Sequence, residues 1–276
     1  MIARASAPTS VPYAQSGLTT LYAGDCVDVL DALPAGSAGL VGGSPPYSLG
    51  KDYGAASDTR TYDAWLDWLG TVSLAVWRVL EEGGRYLLNV PFDTNLRFDP
   101  EGRKRSSKQP VLADVTHLLV HEQGWTNNAL IVWDEGTVSR RTAWGSYGMP
   151  TDPWVILPSE AILVLSKGPR KREARGRTWD LLPKEHQAWS LATWRFPGES
   201  ATRVGHPAPF PIELPHRVIK MYSFKEDLVI DPWAGAGTTN LAATRLGRRN
   251  IYIDVNPDYA DLARGRLARE THRAMR

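Results

Sequence analysis

The chain has 276 residues, 42% hydrophobic and 22% charged, enough for one domain with a sizeable core and short for two. Its net charge of +2 and pI of 8.6 exclude capture of a polyanion by bulk charge, so any nucleic-acid surface must be a local basic patch. One cysteine, Cys26, excludes an internal disulfide and a multi-cysteine zinc site and fits a reducing cytoplasm; no apolar run approaches the roughly 20 residues of a membrane span.

Residues 1–17, rich in Ala, Ser and Pro, lack the charged start and apolar core of a signal peptide and read as a flexible arm. From there strands and helices alternate, the signature of an α/β sheet covered on both faces. Residues 19–23 are a short strand ending at Gly24-Asp25. Residues 26–33 are a helix closed by Pro34 and Gly36, and 38–42 are a strand that runs into Ser44-Pro45-Pro46-Tyr47. Trp65, Leu69, Val72, Val76 and Leu80 fall at helical spacing and predict a helix over 62–82, stopped by Gly83-Gly84 before a strand at 85–90. A helix over 111–123 follows, then strands at 128–133 and 161–166, paired as a hairpin around an insertion at 134–160. Residues 206–276 read as helix, strand, glycine loop, helix, strand, helix.

Three basic stretches interrupt this pattern. Arg97, Arg103, Lys104 and Arg105 lie in the loop 91–110, Arg140 and Arg141 in the insertion, and Lys171 and Arg172 in the segment 167–177. Interleaved with Trp179, Trp189 and Trp194, such residues suit phosphate contact plus stacking, against the plainer reading of solvated loops and buried tryptophans. His117 and His121 are four apart on a helix, but no third ligand accompanies them, so no metal is expected.

The sharpest chemical feature is the run from Leu228 to Thr239. An apolar strand ends on Asp231, turns through Pro232, Gly235 and Gly237, and opens a helix at Thr238-Thr239; the next strand ends on Asp254. This is half of a nucleotide-binding βαβ unit. It is not a triphosphate loop, because Gly237 is followed by Thr and not by Lys. Nor is it a dinucleotide fingerprint, because Asn240 stands where the third glycine belongs. Ser44-Pro45-Pro46-Tyr47 taken alone is a rigid turn after a strand.

Together the two motifs resemble those of the DNA amino-methyltransferases, with the tetrapeptide early and the glycine loop late as in the beta class. Gly24-Asp25, Gly124-Trp125, Ile131 to Trp133, His206 to Pro211 and Tyr259 to Arg269 extend the resemblance over most of the chain. It implies a Rossmann-like methyltransferase fold: a mostly parallel seven-stranded sheet with helices on both faces and circularly permuted motif order. Residues 18–276 would form one domain, with a catalytic half at 18–166, a short target-recognition region near 167–205 and a cofactor half at 206–276. It also implies S-adenosylmethionine held by Asp25, Cys26, Ser44, Pro209, Phe210, Asp231, Pro232, Gly235, Gly237, Thr238, Thr239 and Asp254. Asp254 would take the ribose hydroxyls.

The catalytic residues implied are Ser44, Pro45, Pro46 and Tyr47. An exocyclic amino nitrogen is a poor nucleophile, because its lone pair is delocalised into the ring. The Ser44 hydroxyl and Pro45 carbonyl oxygens would accept its two N–H groups, and Tyr47 would stack on a flipped base. Methylation at a ring carbon needs a thiolate beside a proline, and Cys26 lies between Asp25 and Val27, so that reaction is rejected. Family members with Ser at the first position mostly methylate cytosine N4 and those with Asp mostly adenine N6, which favours cytosine here. Adenine N6, an RNA or small-molecule substrate, and a catalytically silent DNA-binding module are the alternatives. Double-stranded DNA, a short palindromic site, a homodimer and a restriction-modification setting are the partner expectations.

Overall fold

Asp25, Thr61 and Ser200 each stand one residue before a helix and accept hydrogen bonds from its first-turn N–H groups, and Gly205 ends one in the left-handed region at φ 79°. A computed structural model describes residues 11–47, 52, 53, 56, 57, 60–94, 108–136, 146–153, 155, 157–207 and 209–274. Arg97, Arg103, Lys104, Arg105, Arg140 and Arg141 lie outside them. In chain order the elements are β1 (Ala14–Ser16), β2 (Thr19–Ala23), α1 (Cys26–Ala32), β3 (Ala38–Gly43), β4 (Asp52–Tyr53), β5 (Ala56–Ser57), α2 (Tyr62–Val79) and β6 (Leu80–Pro91). They continue with α3 (Val111–Thr116), which runs on as a π-helical stretch His117–Glu122, then β7 (Thr126–Asp134), β8 (Ser159–Ser166), α4 (Pro183–Trp189) and β9 (Thr193–Arg195). The last elements are α5 (Ala201–Val204), α6 (Glu213–Tyr222), β10 (Leu228–Asp231), α7 (Thr238–Arg245), β11 (Arg249–Asp254) and α8 (Pro257–Ala274).

Nine strands of the described residues form one sheet, in the order β1-β2-β11-β10-β3-β6-β8-β7-β9. All run the same way except β1 and β8, so the sheet is mostly parallel, as expected. The expectation of seven strands is corrected to nine, because three-residue strands, β1 and β9, add one edge each. Strands β3 and β10 are neighbours, and from them the chain proceeds outward in opposite directions, to β6 and to β11. That makes their junction a topological switch point, and the crevice outside their carboxyl ends is where such sheets bind ligands.

Alternation along the strands sends side chains to two cores. On one face Val41, Tyr86, Leu88, Ile230 and Ile251 pack with Leu30 of α1 and Trp65, Leu69 and Val76 of α2. On the other, Leu40, Leu87, Ile162 and Val229 pack with Leu214, Val218 and Ile219 of α6 and Ala242 of α7. The β7–β8 hairpin forms as read from the sequence.

Helix α2 stops three residues earlier than its apolar spacing predicts. Leu80 turns extended (φ −71°, ψ 139°) and pairs with Ala38. Leu40 then pairs with Arg85, so β6 advances five residues against two on β3. Gly83, at φ 73°, carries the excess. The glycine pair is therefore a bulge within the strand, not the end of the helix.

The segment 167–195 corrects a larger expectation. Arg172, only 6% exposed, pairs with Glu81 and with Asp227 (Nη1–Oδ2 2.5 Å), and Arg177 pairs with Glu81 at 2.7 Å. Both guanidinium groups lie over Phe224, 5.0 and 4.5 Å from its ring centre. Further along, Asp180 pairs with the fully buried Arg248 at 2.6 Å, and Glu185 with Lys220 of α6. The arginines surround the amino ends of β3, β6 and β10, where a Cβ on Gly39 would strike Asp227 and Arg172. This is the edge of the sheet opposite the crevice, about 16 Å away along β3. Arg172 is thus a structural cation and not a DNA contact. Lys171 is exposed and pairs with Glu173 at that same edge. Of the tryptophans read here as stacking residues, Trp194 is buried, donating to the Trp189 carbonyl at 2.9 Å, while Trp179 is exposed.

Candidate active site

A cleft of about 630 Å³ opens over the carboxyl ends of β2, β3, β10 and β11, within the ordinary size range for a cofactor site. One end is built on the glycine loop. Asp254 finishes β11 and accepts from the N–H groups of Gly235 (2.8 Å) and Asn256 (2.9 Å). Burial raises its pKa against the pull of these two bonds. Gly235 (φ 49°) and Gly237 (φ 73°) need the left-handed region, but their missing side chains do not all face a ligand. A Cβ on Gly235 would strike the His206 ring at 2.6 Å, and one on Gly237 would strike Ala263 of α8 at 2.8 Å. Arg266 of α8 holds the loop by donating to the Ala236 carbonyl and to Thr238 Oγ1 at 3.2 Å.

Of the residues expected to hold the cofactor, Asp25, Cys26, Ser44, Pro209, Phe210, Pro232, Gly235, Thr238 and Asp254 line this cleft. Asp231, Gly237 and Thr239 do not: Asp231 and Thr239 are buried, and Gly237 faces Ala263 of α8. Asp231 is fully buried, and loss of water pushes its pKa up to about 7 in spite of hydrogen bonds from Thr239 and the Trp233 N–H. Its oxygen fills the space a Cβ on Gly43 would need, which ties β10 to β3 just before Ser44. Asp25 caps α1 by accepting from Val27 N–H at 2.8 Å. Cys26 is buried, and burial together with the Asp25 carboxylate drives its thiol pKa well above the usual range. A thiol that stays protonated is no nucleophile, which agrees with the rejection of ring-carbon chemistry.

The other end holds the tetrapeptide. Trp65 Nε1 of α2 donates to the Pro46 carbonyl at 2.6 Å, and the Tyr47 hydroxyl donates to the Asn89 carbonyl at 2.7 Å. Asn89 Nδ2 donates to Ser44 Oγ at 2.9 Å and also to Glu160 Oε2. Asn89 and Glu160 line the cleft and were missed in the sequence; their only signal there is a polar residue near the end of an otherwise apolar strand. An aromatic wall was missed as well. Trp68 and Trp233 stand 6.0 Å apart, with the Arg60 guanidinium 4.8 Å from the Trp68 ring centre. Trp68 follows Trp65 by three residues, so helical spacing could have placed it near the tetrapeptide.

A nucleoside-bearing cofactor fits this donor set. Asp254 lines the cleft and has lone pairs beyond its two backbone bonds for vicinal hydroxyls. Among those residues no three His, Cys, Asp or Glu side chains are grouped to hold a metal, and no helix is long and apolar enough to cross a membrane.

A doubly wound sheet with its cleft at the switch point, a glycine loop at one end and a rigid Ser-Pro-Pro-Tyr at the other defines a nucleotide-cofactor enzyme of the Rossmann-like type. The sequence profile of the N6/N4 DNA methylase family matches residues 39–265, and the chain belongs to that family. It is 28% identical to the type II methyltransferase M.ScaI of Streptomyces caespitosus, over 94% of this chain and 84% of that protein. It is 29% identical to the DNA adenine methyltransferase YhdJ of Escherichia coli, over 92% of this chain and 84% of the other. Among solved structures, a DNA modification methylase of Thermus thermophilus, complexed with S-adenosyl-L-methionine, superposes with a TM-score of 0.70 and 33% identity, covering 91% of this chain and 93% of that one. The cytosine-N4-specific PvuII DNA methyltransferase shares the fold, with a TM-score of 0.71 at 20% identity over 95% and 94% of the two chains.

Proposed function

We propose that this chain transfers a methyl group from S-adenosylmethionine to the N4 amino group of a cytosine flipped out of double-stranded DNA. The observation that carries this reading is one continuous cleft, lined at one end by Asp254 and the glycine loop and at the other by Ser44 and Tyr47. When bound, the cofactor supplies an electrophilic methyl group on a sulfonium. Asp254 accepts from its ribose. Ser44 Oγ and the Pro45 carbonyl accept from the target amino group, drawing its lone pair out of the ring, and the prolines hold that carbonyl in place. Tyr47, its hydroxyl tied to Asn89, offers a ring of fixed position to the base. The target nitrogen would take the methyl group from sulfur and then release a proton to water. Positioning and electrostatics are the protein's main contributions, with no covalent enzyme intermediate.

Ser44 supports cytosine, because a neutral hydroxyl stands where adenine-specific relatives mostly place a carboxylate. Adenine N6 is the second reading, favoured by the identity to YhdJ along nearly the whole chain. The two separate in one experiment. Unmethylated plasmid DNA is incubated with protein and S-adenosylmethionine, then digested to nucleosides for mass spectrometry. N4-methyldeoxycytidine is expected. N6-methyldeoxyadenosine alone overturns the base assignment, cofactor binding without any methylated nucleoside removes DNA as the substrate, and failure to bind S-adenosylmethionine in calorimetry selects the silent DNA-binding module. The basic side chains at 97–105 and 140–141 are the candidates for phosphate contact. Each one that touches DNA adds about 0.9 to the slope of log affinity against log salt. We also infer a homodimer, tested by the mass of the purified protein in solution.

A further inference from the structure

We propose that Glu160 is a positioning residue for methyl transfer: through the Asn89 amide it fixes how Ser44 presents its oxygen to the target amino group. This rests on the amino-methyltransferase reading above.

The three residues come from adjacent strands. Ser44 follows β3, whose Gly43 pairs with Leu88 of β6, so Ser44 comes level with Asn89. Glu160 lies near the start of β8, opposite Pro91 of β6 and Trp133 of β7. Because β8 is reversed, its amino end reaches the carboxyl edge of the sheet, and a side chain from residue 160 arrives beside one from residue 89. Leu87 and Ile162 both face α6. Asn89 and Glu160, two residues along from each, face the same way.

The chemistry of the contacts fixes their direction. An ionised carboxylate only accepts, so the Asn89–Glu160 bond must be donated by Nδ2. The amide therefore cannot turn its oxygen toward Glu160, and its second N–H goes to Ser44 Oγ at 2.9 Å. Asn89 itself is only 4% exposed, while Ser44 and Glu160 are half-buried at the cleft wall. One lone pair of Ser44 is thereby occupied, and its other lone pair and its proton are confined to the directions that remain. The main-chain carbonyl of Asn89 accepts a hydrogen bond from the Tyr47 hydroxyl. Asn89 thus orients both polar side chains of the tetrapeptide, and Glu160 orients Asn89. Without the carboxylate the amide is free to reverse. Its oxygen would then accept a hydrogen bond from the Ser44 hydroxyl and change what that hydroxyl offers the base. Neither contact touches the Asp254 end of the cleft, so the effect falls on turnover and not on cofactor binding.

The test uses the full chain, tritiated S-adenosylmethionine and unmethylated plasmid DNA, with single-turnover rates beside calorimetric cofactor dissociation constants. Glu160→Leu should slow methyl transfer about 10- to 100-fold and leave cofactor affinity within about twofold. Glu160→Gln keeps an acceptor oxygen for Nδ2 and should restore most of the rate. Asn89→Ala should be as slow as Glu160→Leu, and adding Glu160→Leu to it should cost less than about threefold more, because the link is already cut. A normal rate in Glu160→Leu, a Glu160→Gln as slow as Glu160→Leu, or losses that multiply in the double variant would each overturn the role of Glu160. Should Glu160→Leu not fold, a normal rate in Asn89→Ala overturns it equally. Wild-type protein that binds the cofactor but labels no DNA would instead sink the methyltransferase reading itself.

Discussion

Asp227 and Asp231 flank the same short strand, β10, in opposite circumstances. At the amino end, Asp227 shares two arginines with Glu81. Burial works to raise Glu81, but hydrogen bonds from Arg177 and Arg172 outweigh it and hold its carboxyl below the usual range. At the carboxyl end, Asp231 is wholly buried, forms no ion pair among the described residues and has its pKa pushed up to about 7. Asp254 beside it is raised as well. The difference separates scaffold from site. Matched charges at one edge hold the returning segment 167–180 against the sheet. At the other, burial drives both carboxyls toward the neutral form, and of the two only Asp254 lines the cleft, where its oxygens can meet a bound cofactor.

The largest expected effect breaks the matched end. Arg172→Ala strands Asp227 and Glu81 with a single arginine and should cost about 3–5 kcal/mol in urea unfolding. An unchanged midpoint would mean that this cluster holds nothing together. Asp231→Asn probes the unmatched end. A carboxylate raised in the folded state contributes fully below its unfolded pKa of about 4 and loses that contribution as pH climbs through about 7. The stability of Asp231→Asn relative to wild type should therefore rise between pH 4 and pH 9, by at most about 4 kcal/mol. A difference flat in pH would refute an unpaired, buried Asp231.

Asp254→Ala should weaken cofactor binding by about 1.5–3 kcal/mol in calorimetry, through loss of a charged acceptor. Wild-type affinity should fall as acid protonates this raised carboxyl, and the variant should lack that limb. Tyr47→Ala should cost about 1–3 kcal/mol of DNA binding through lost stacking, with cofactor affinity unchanged. Equal losses in both would move Tyr47 out of the base pocket. The smallest effect is expected at Lys171→Ala, within about 0.5 kcal/mol in stability. DNA binding that depends on Lys171 would reverse the correction made for that edge.

What could be read from the sequence follows from how far apart the partners lie. The glycine loop, Asp231 and Asp254 belong to one βαβ unit, so composition and spacing exposed them together. The tetrapeptide was visible because four unusual residues are contiguous. Asn89 and Glu160 stand 71 residues apart and meet only through the register of β6 with β8, which no local pattern encodes. Arg172 was misread for the same reason, since Asp227 lies 55 residues away. A run of arginines looks alike whether it faces phosphate or a buried aspartate. The edge strands β1 and β9 are too short to show alternation. The α2–β6 boundary slipped because Leu80 satisfies the apolar spacing of the helix and the pairing of the strand.

Cys26 is the sole thiol of the chain; it is buried, and burial with the neighbouring Asp25 carboxylate raises its pKa. Maleimide and similar probes need an accessible thiolate, so native protein should pass through a labelling reaction untouched. A cysteine placed at an exposed position of the β7–β8 insertion, such as Tyr147, would then carry the only dye. Arrival of DNA could be followed from that position by fluorescence, without first engineering away a native cysteine.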